Sequence, residues 1–174
     1  MLDVAREAHL SEFDATKILY HLAEAGYLEA AEAPAAAAAS PQDRLAALAE
    51  GMNAILREVS AAAAAHGGAE PFLAGARAYL ADPPSRFAPL WKLVSPAPDG
   101  GVDPLLVLGN LSALKGAALR KLEPFGDPAR FLHDGLRELA FFYLFLAGER
   151  LPREADDALG ERVKRRFLTL EGLR

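Results

Sequence analysis

"LRELAFFYLFLAGERL", residues 136–151, decides the fold, because it predicts one helix that is apolar on nearly every side. One face carries apolar side chains at heptad spacing, and a helix of this kind normally lies at the centre of a bundle. Three phenylalanines lie off that face, where they either complete the core or contact a partner or a second copy. We expect them in the core, with a weak homodimer contact where they are exposed. The heptad face comprises Leu132, Leu136, Leu139, Tyr143 and Leu146, and the three rings are Phe141, Phe142 and Phe145.

A second helix is predicted by "SPQDRLAALAEGMNAILREV", residues 40–59. Ser40 is a good N-cap, Pro41 suits the first helical position, and Asp43 suits the first turn. The helix carries an apolar seam that is too short for a free-standing coiled coil. We therefore expect the seam to pack against the apolar helix at 136–151, which gives a helical bundle. The seam consists of Leu45, Leu48, Met52, Ile55 and Val59.

Other start and stop signals predict further helices and an all-α fold. A helix over 69–81 stops before two prolines. The pairs Asp103–Pro104 and Asp127–Pro128 each place a cap before a proline, so helices begin at both. The last two helices are expected at 128–149 and from Arg153 to the end of the chain.

Near the start of the chain, "LSEFDATKILYHLAEAGYLE", residues 10–29, is typical of a helix-turn-helix. Ser11 and Asp14 form a capping box, and Gly26 is well placed to end the second helix. A short wing strand fits after that glycine. We therefore predict a helix-turn-helix module over 1–30, an Ala/Pro linker over 31–41 and a helical bundle domain over 42–174.

The charge of this module favours a protein partner over DNA. Residues 1–30 hold two basic and six acidic side chains, a net charge of −4, so they offer little counterion release on binding nucleic acid. Phe13 and Tyr20 are seven residues apart and lie on one helical face, where they either dock a partner or pack inside the protein. The predicted partner-binding residues are Glu12, Phe13, Lys17, Tyr20 and Glu24.

Composition excludes several classes of protein. Hydrophobic residues make up 52% of the 174, which is typical of a globular chain, and cysteine is absent. There is accordingly no disulfide framework and no Cys-based metal site, and no run of apolar residues is long enough to span a bilayer. A net charge of −5 opposes nonspecific binding to nucleic acid or anionic membranes. We expect a cytoplasmic protein.

Catalytic and metal-binding signatures are not found in the sequence. The four histidines lack metal-ligand spacing, and we expect each at the surface or at a helix end. No phosphate-binding loop or nucleophile elbow is present, so we predict a protein that is not an enzyme and has no cofactor and no metal. The one local concentration of positive charge is a solvated helical face or a basic patch. The histidines are His9, His21, His66 and His133, and the basic cluster is Arg162, Lys164, Arg165 and Arg166.

Three stretches together resemble a known family. "VAREAHLSEFDATKILYHLAEAGYLE", residues 4–29, is similar to the C-terminal helix-turn-helix portion of PATAN-type domains, which are bacterial signalling modules. "DPLLVLGNLSAL", residues 103–114, and "GLRELAFFYLFLAGERLP", residues 135–152, resemble the helical region that follows in such proteins. The mixed α/β segment that precedes the helix-turn-helix in that family is missing, so we expect a fragment or a diverged member. The resemblance implies regulatory protein–protein interaction in bacterial signalling, linked to motility or surface behaviour.

Two function hypotheses follow from these patterns. The first is a non-enzymatic signalling adaptor that binds protein partners. The alternative is a helix-turn-helix transcription regulator that binds DNA as a dimer, with the C-terminal basic residues supplying the charge that the module lacks. An enzyme with a site assembled from scattered residues is the third and weakest hypothesis.

Overall fold

A computed structural model describes residues 40–84, 86–114 and 116–170. These ranges form helices and turns and contain no strand, which confirms the all-α class. The predicted helix-turn-helix, its wing and most of the linker fall on 1–39, outside the described residues. The helices of the described ranges are α1 (Pro41–Ala65), α2 (Ala69–Ala81), α3 (Pro104–Ala113), α4 (Ala117–Leu122), α5 (Pro128–Gly148) and α6 (Arg153–Leu170).

Helix α1 begins as its sequence predicts. Ser40 and Asp43 form a reciprocal capping box, in which the Asp43 amide donates to Ser40 Oγ at 3.1 Å and the Ser40 amide donates to Asp43 Oδ2 at 3.0 Å. Pro41, predicted for the first helical position, is the first residue of the helix. The helix ends at His66 and Gly67, whose φ of 75° suits glycine.

The aspartate–proline pairs start helices as predicted. Asp127 Oδ1 accepts from the amides of Ala129 and Arg130, at 2.9 and 3.3 Å, so it caps α5. Asp103 Oδ1 accepts from the amide of Leu105 at 2.9 Å and caps α3. These caps satisfy amides that have no partner within their own helix.

The core lies where α1 and α5 pack together. The heptad face of α5 is buried, and the apolar seam of α1 is buried with it apart from Leu45, which is partly exposed. Helices α1 and α5 are in contact, so the predicted packing of the seam against the apolar helix is confirmed. Helix α2 packs on both α1 and α5, and so does α6.

One buried polar side chain joins α1 to the loop before α3. Asn53 is fully buried, and its Nδ2 donates to the Val102 carbonyl at 2.9 Å while its Oδ1 accepts from the Val102 amide at 2.8 Å. Both backbone polar groups of Val102 are thereby satisfied inside the protein, where leaving them unpaired would be costly. In the same loop Gly100, with φ of 83°, lies against Ser60 of α1, which leaves no room for a side chain on Gly100.

None of the helices within the described ranges is long and apolar enough to cross a membrane. Helix α5 packs its heptad face against other helices and leaves Phe141 and Phe145 exposed.

Candidate functional site

Helix α5 leaves part of its apolar surface uncovered. Phe141 is 49% exposed and Phe145 is 63% exposed, so the expectation that these two rings lie in the core is wrong. The reason is geometric. Helix α1 packs on the heptad face of α5, and α2 and α6 pack on α5 beside that face. An all-round apolar helix therefore keeps an outer face that no other described helix buries.

Phe142 has a different environment from its two neighbours. Its ring stacks on Tyr79 of α2, with 4.3 Å between the ring centroids, and it is partly buried against the core. The Tyr79 hydroxyl donates to Glu138 Oε1 at 3.2 Å. Burial, together with the nearby Glu138 carboxylate, raises the pKa of Tyr79, so the hydroxyl keeps its proton and remains a donor. Phe142 thus links α5 to α2 instead of standing free.

A groove runs between α5 and α6 beside the exposed rings. It encloses about 310 Å³, at the lower end of the range of small ligand pockets, and it is open to solvent. Most of its lining is apolar, and the two charged side chains in it are both basic. The lining residues are His133, Arg137, Phe141, Leu144, Gly160, Val163, Lys164, Phe167 and Leu168.

Aromatic and aliphatic side chains form the floor of the groove. The rings of Phe141 and Phe167 pack against each other at a tilted angle, with 5.7 Å between their centroids. Val163 is buried below them, whereas Leu168 is 59% exposed at the side. Gly160 has no neighbouring atom within 4 Å of the position that a Cβ would take, so the α6 wall is open there.

Two cations lie at the mouth of the groove. The Arg137 guanidinium is 5.2 Å from the centroid of the Phe141 ring, within the range of a cation–π interaction. Lys164 Nζ is 3.7 Å from Glu161 Oε1, but both side chains are about 70% exposed, and such surface pairs are weak. Within the described ranges no carboxylate lies within ion-pair distance of Arg137. The groove lining therefore carries two cations and no carboxylate, while Asp134 and Glu138 line a neighbouring cleft together with Arg137 and Phe141.

His133 lies at the inner end of the groove and is only 2% exposed, so the expectation of a surface position is wrong. It is one residue after Leu132 of the heptad face, and the neighbouring helices bury this part of α5 on more than one side. Its Nδ1 is 3.3 Å from Asp134 Oδ1. His66, in contrast, lies at the surface and at a helix end as predicted, since it caps the end of α1 and is exposed.

The predicted basic cluster on α6 divides into two pairs. Arg162 Nε donates to Glu58 Oε1 at 2.8 Å, and Arg166 Nε lies 2.6 Å from Glu58 Oε2 as an ion pair without hydrogen-bond geometry. Glu58 belongs to α1, so this triad fastens α6 to the core. Lys164 and Arg165 point away from it and are exposed. The cluster is thus partly a structural contact and partly a solvated face.

Other predicted site residues are not placed by the structure. Glu12, Phe13, Lys17, Tyr20 and Glu24, the predicted partner-binding set, fall outside the described residues. In the described ranges no group of three or more His, Cys, Asp or Glu side chains is arranged to hold a metal ion. The groove joins residues of 133–144 to residues of 160–168, a pairing that the pattern of neither segment predicts.

No family model, curated protein or solved structure matches this chain. The resemblance to PATAN-type domains therefore stays a prediction.

Proposed function

We propose that this protein is a non-enzymatic regulatory adaptor that acts by binding other proteins, and that the groove between α5 and α6 is one of its docking surfaces. The proposal rests mainly on two exposed apolar side chains, Phe141 and Leu168, that line a preformed groove, with the exposed Phe145 one helical turn farther along α5. Single exposed apolar residues are ordinary, whereas a contiguous apolar patch marks an interaction site. The setting we propose is the bacterial signalling that the family resemblance implies.

The groove has the anatomy of a protein-binding hot spot. A concave apolar floor receives an anchoring side chain, and a polar rim surrounds it. Fully burying one Leu or Phe side chain of a partner contributes about 1.5–3 kcal/mol. The groove walls are helices fixed to the core, by packing for α5 and by the Glu58 triad for α6, so the partner meets a surface that is already ordered.

Photo-crosslinking in the native host tests this proposal directly. A photoreactive phenylalanine analogue replaces Leu168 at the groove, or Leu105 on α3 as a control that is 80% exposed and does not line the groove. We expect discrete crosslinked protein adducts from position 168 and not from position 105. Equal adducts from both positions, or none from position 168, would contradict a docking role for the groove.

Dimeric DNA binding is the second candidate function. The exposed Lys164 and Arg165 on α6 favour it, since cations on one helix can contact phosphates. The pairing of Arg162 and Arg166 with Glu58 weakens it, because that charge is already compensated. A mobility-shift assay at low salt separates the candidates: DNA binding requires a shift that disappears steeply with added salt. The adaptor proposal requires no shift at micromolar protein.

A further inference from the structure

The charge around the groove contrasts with that of the chain as a whole. The chain carries a net charge of −5, yet α6 holds four basic side chains within residues 162–166, of which Arg162 and Arg166 are paired with Glu58 while Lys164 and Arg165 are exposed. None of the lining residues of the groove is acidic, and Arg137 and Lys164 stand on opposite walls. A ligand that lies along the groove therefore meets a positive charge on each side of an apolar floor.

We propose that the occupant of the groove is an amphipathic helix of a partner protein whose polar face is acidic, an inference that rests on the proposed function. A helix laid between two helices places residues at i, i+3, i+4 and i+7 into an apolar groove. Its apolar residues contact Phe141 and Phe167 on the floor. Its carboxylates flank these anchors and face Arg137 on α5 and Lys164 on α6.

A second copy of this chain fits the groove less well. In a two-fold contact the same patch of each copy faces its equivalent. Arg137 and Lys164 of one copy would then approach those of the other, and like charges brought together oppose association. An acidic partner meets the same cations with the opposite sign.

A membrane surface also fits the groove less well. Apolar side chains with neighbouring cations are features of membrane-binding helices too. Here, however, the apolar floor is concave and recessed, and the net charge of −5 repels anionic lipid over the rest of the molecule. A concave floor suits an inserted side chain better than a flat bilayer.

Two labelled helical peptides test the inference on the full chain. Both carry leucine at i, i+3, i+4 and i+7, and their remaining positions are mainly Glu in one peptide and mainly Lys in the other. In a fluorescence anisotropy titration we expect the Glu peptide to bind about tenfold more tightly than the Lys peptide, with a preference that falls as salt rises. Phe141→Ala should weaken the binding of the Glu peptide, because it removes half of the aromatic floor.

Charge reversal supplies the decisive variant. Arg137→Glu combined with Lys164→Glu should abolish the preference for the Glu peptide or invert it. The control is Arg120→Glu combined with Lys121→Glu on α4, which changes the net charge equally at exposed positions that do not line the groove. The control should retain the preference. Circular dichroism should show that both double variants stay folded, because all four substituted side chains are exposed.

Several results would overturn the inference. They are equal binding of the two peptides, no binding of either, and a preference that both double variants lose alike. Self-association that the groove variant alone removes would assign the groove to a second copy. A different outcome is that the protein sediments with phosphatidylcholine vesicles only when they also contain phosphatidylserine. If the groove variant no longer sediments with them, the groove would be assigned to a membrane surface. The crosslinking at Leu168 uses neither peptides nor vesicles, so it can support the docking role even if the acidic helix is wrong.

Discussion

On the inner face of α5, Leu136, Leu139 and Tyr143 are buried against the other helices, whereas on its outer face Phe141 and Phe145 remain about half or more exposed. Both faces are made of the same kinds of side chain. The inner face therefore stabilises the fold, while much of the apolar area of the outer face is still in contact with water and contributes little. Hydrophobicity makes a helix available for packing, but the neighbouring helices determine which of its sides is buried. Apolar area left over from folding is available for binding.

The largest expected effect comes from truncating one side chain on each face. Leu139→Ala removes fully buried atoms and should lower the free energy of unfolding by about 2–5 kcal/mol. Phe145→Ala removes a ring that is mostly in water and should change it by no more than about 0.5 kcal/mol. Urea unfolding measured by circular dichroism compares the two. Similar losses from both substitutions would break the distinction between the faces.

A second substitution tests whether polar as well as apolar contacts on the buried side stabilise the fold. Asn53→Ala leaves the amide and carbonyl of Val102 buried without partners and should cost about 2–3 kcal/mol. Gln42→Ala, at an exposed position of the same helix, is the matched control and should cost little. The same urea titration measures both. A loss for Asn53→Ala no greater than that of the control would show that the contact is dispensable.

The parts of the fold that the sequence predicted are those governed by local chemistry. Ser40, Asp103 and Asp127 start helices because each cap acts within three residues of its own position. The heptad face of α5 was predicted because periodicity alone shows which side chains share a face. Helix α4, only six residues long, gave no comparable pattern.

The rest depended on contacts between residues distant in sequence. Asn53 meets Val102 across 49 residues, and Glu58 meets Arg162 across 104, so neither partner could be read from its own neighbourhood. His133 was misplaced because burial from several sides depends on how many helices surround α5. For the groove, the sequence reading singled out Phe141 and Lys164 separately, but only the pairing of α5 with α6 brings them together.

A smaller effect concerns the contact that holds the outer wall of the groove. Burial raises the pKa of Glu58, but the hydrogen bond from Arg162 and the positive charges of Arg162 and Arg166 outweigh it, so the pKa is lowered. A carboxylate with a lowered pKa stabilises the fold fully above its unfolded pKa, about 4.3. That stabilisation is lost as the pH falls through the lowered folded value.

Glu58→Gln should therefore reduce the free energy of unfolding by about 1 kcal/mol or less at pH 7, because the arginines are half exposed. The difference between the variant and the unsubstituted protein should shrink as the pH falls below about 4. Urea unfolding across a pH series measures this difference. Glu161→Gln, whose partner Lys164 is highly exposed, is the control and should give a smaller difference at every pH. A constant difference for Glu58→Gln from pH 3 to pH 7 would contradict the assignment, since these limits bracket the usual titration range of a carboxyl.

The smallest effect on stability is expected at Phe145. Because this ring is on the exposed outer face of α5, a substitution there also tests the oligomeric state. The predicted weak homodimer involved all three rings, but Phe142 is stacked on Tyr79 and Phe141 lines the groove. Phe145, the most exposed of them and outside the groove lining, is the ring best placed for a two-fold contact. Phe145→Glu should leave the free energy of unfolding within about 0.5 kcal/mol and shift a concentration-dependent dimer to monomer in light scattering across a dilution series. Leu105→Glu, at a position on α3 that is 80% exposed, should leave that association unchanged. An unsubstituted protein that stays monomeric at its highest concentration would rule out the dimer, and the outer face would then be left for other partners.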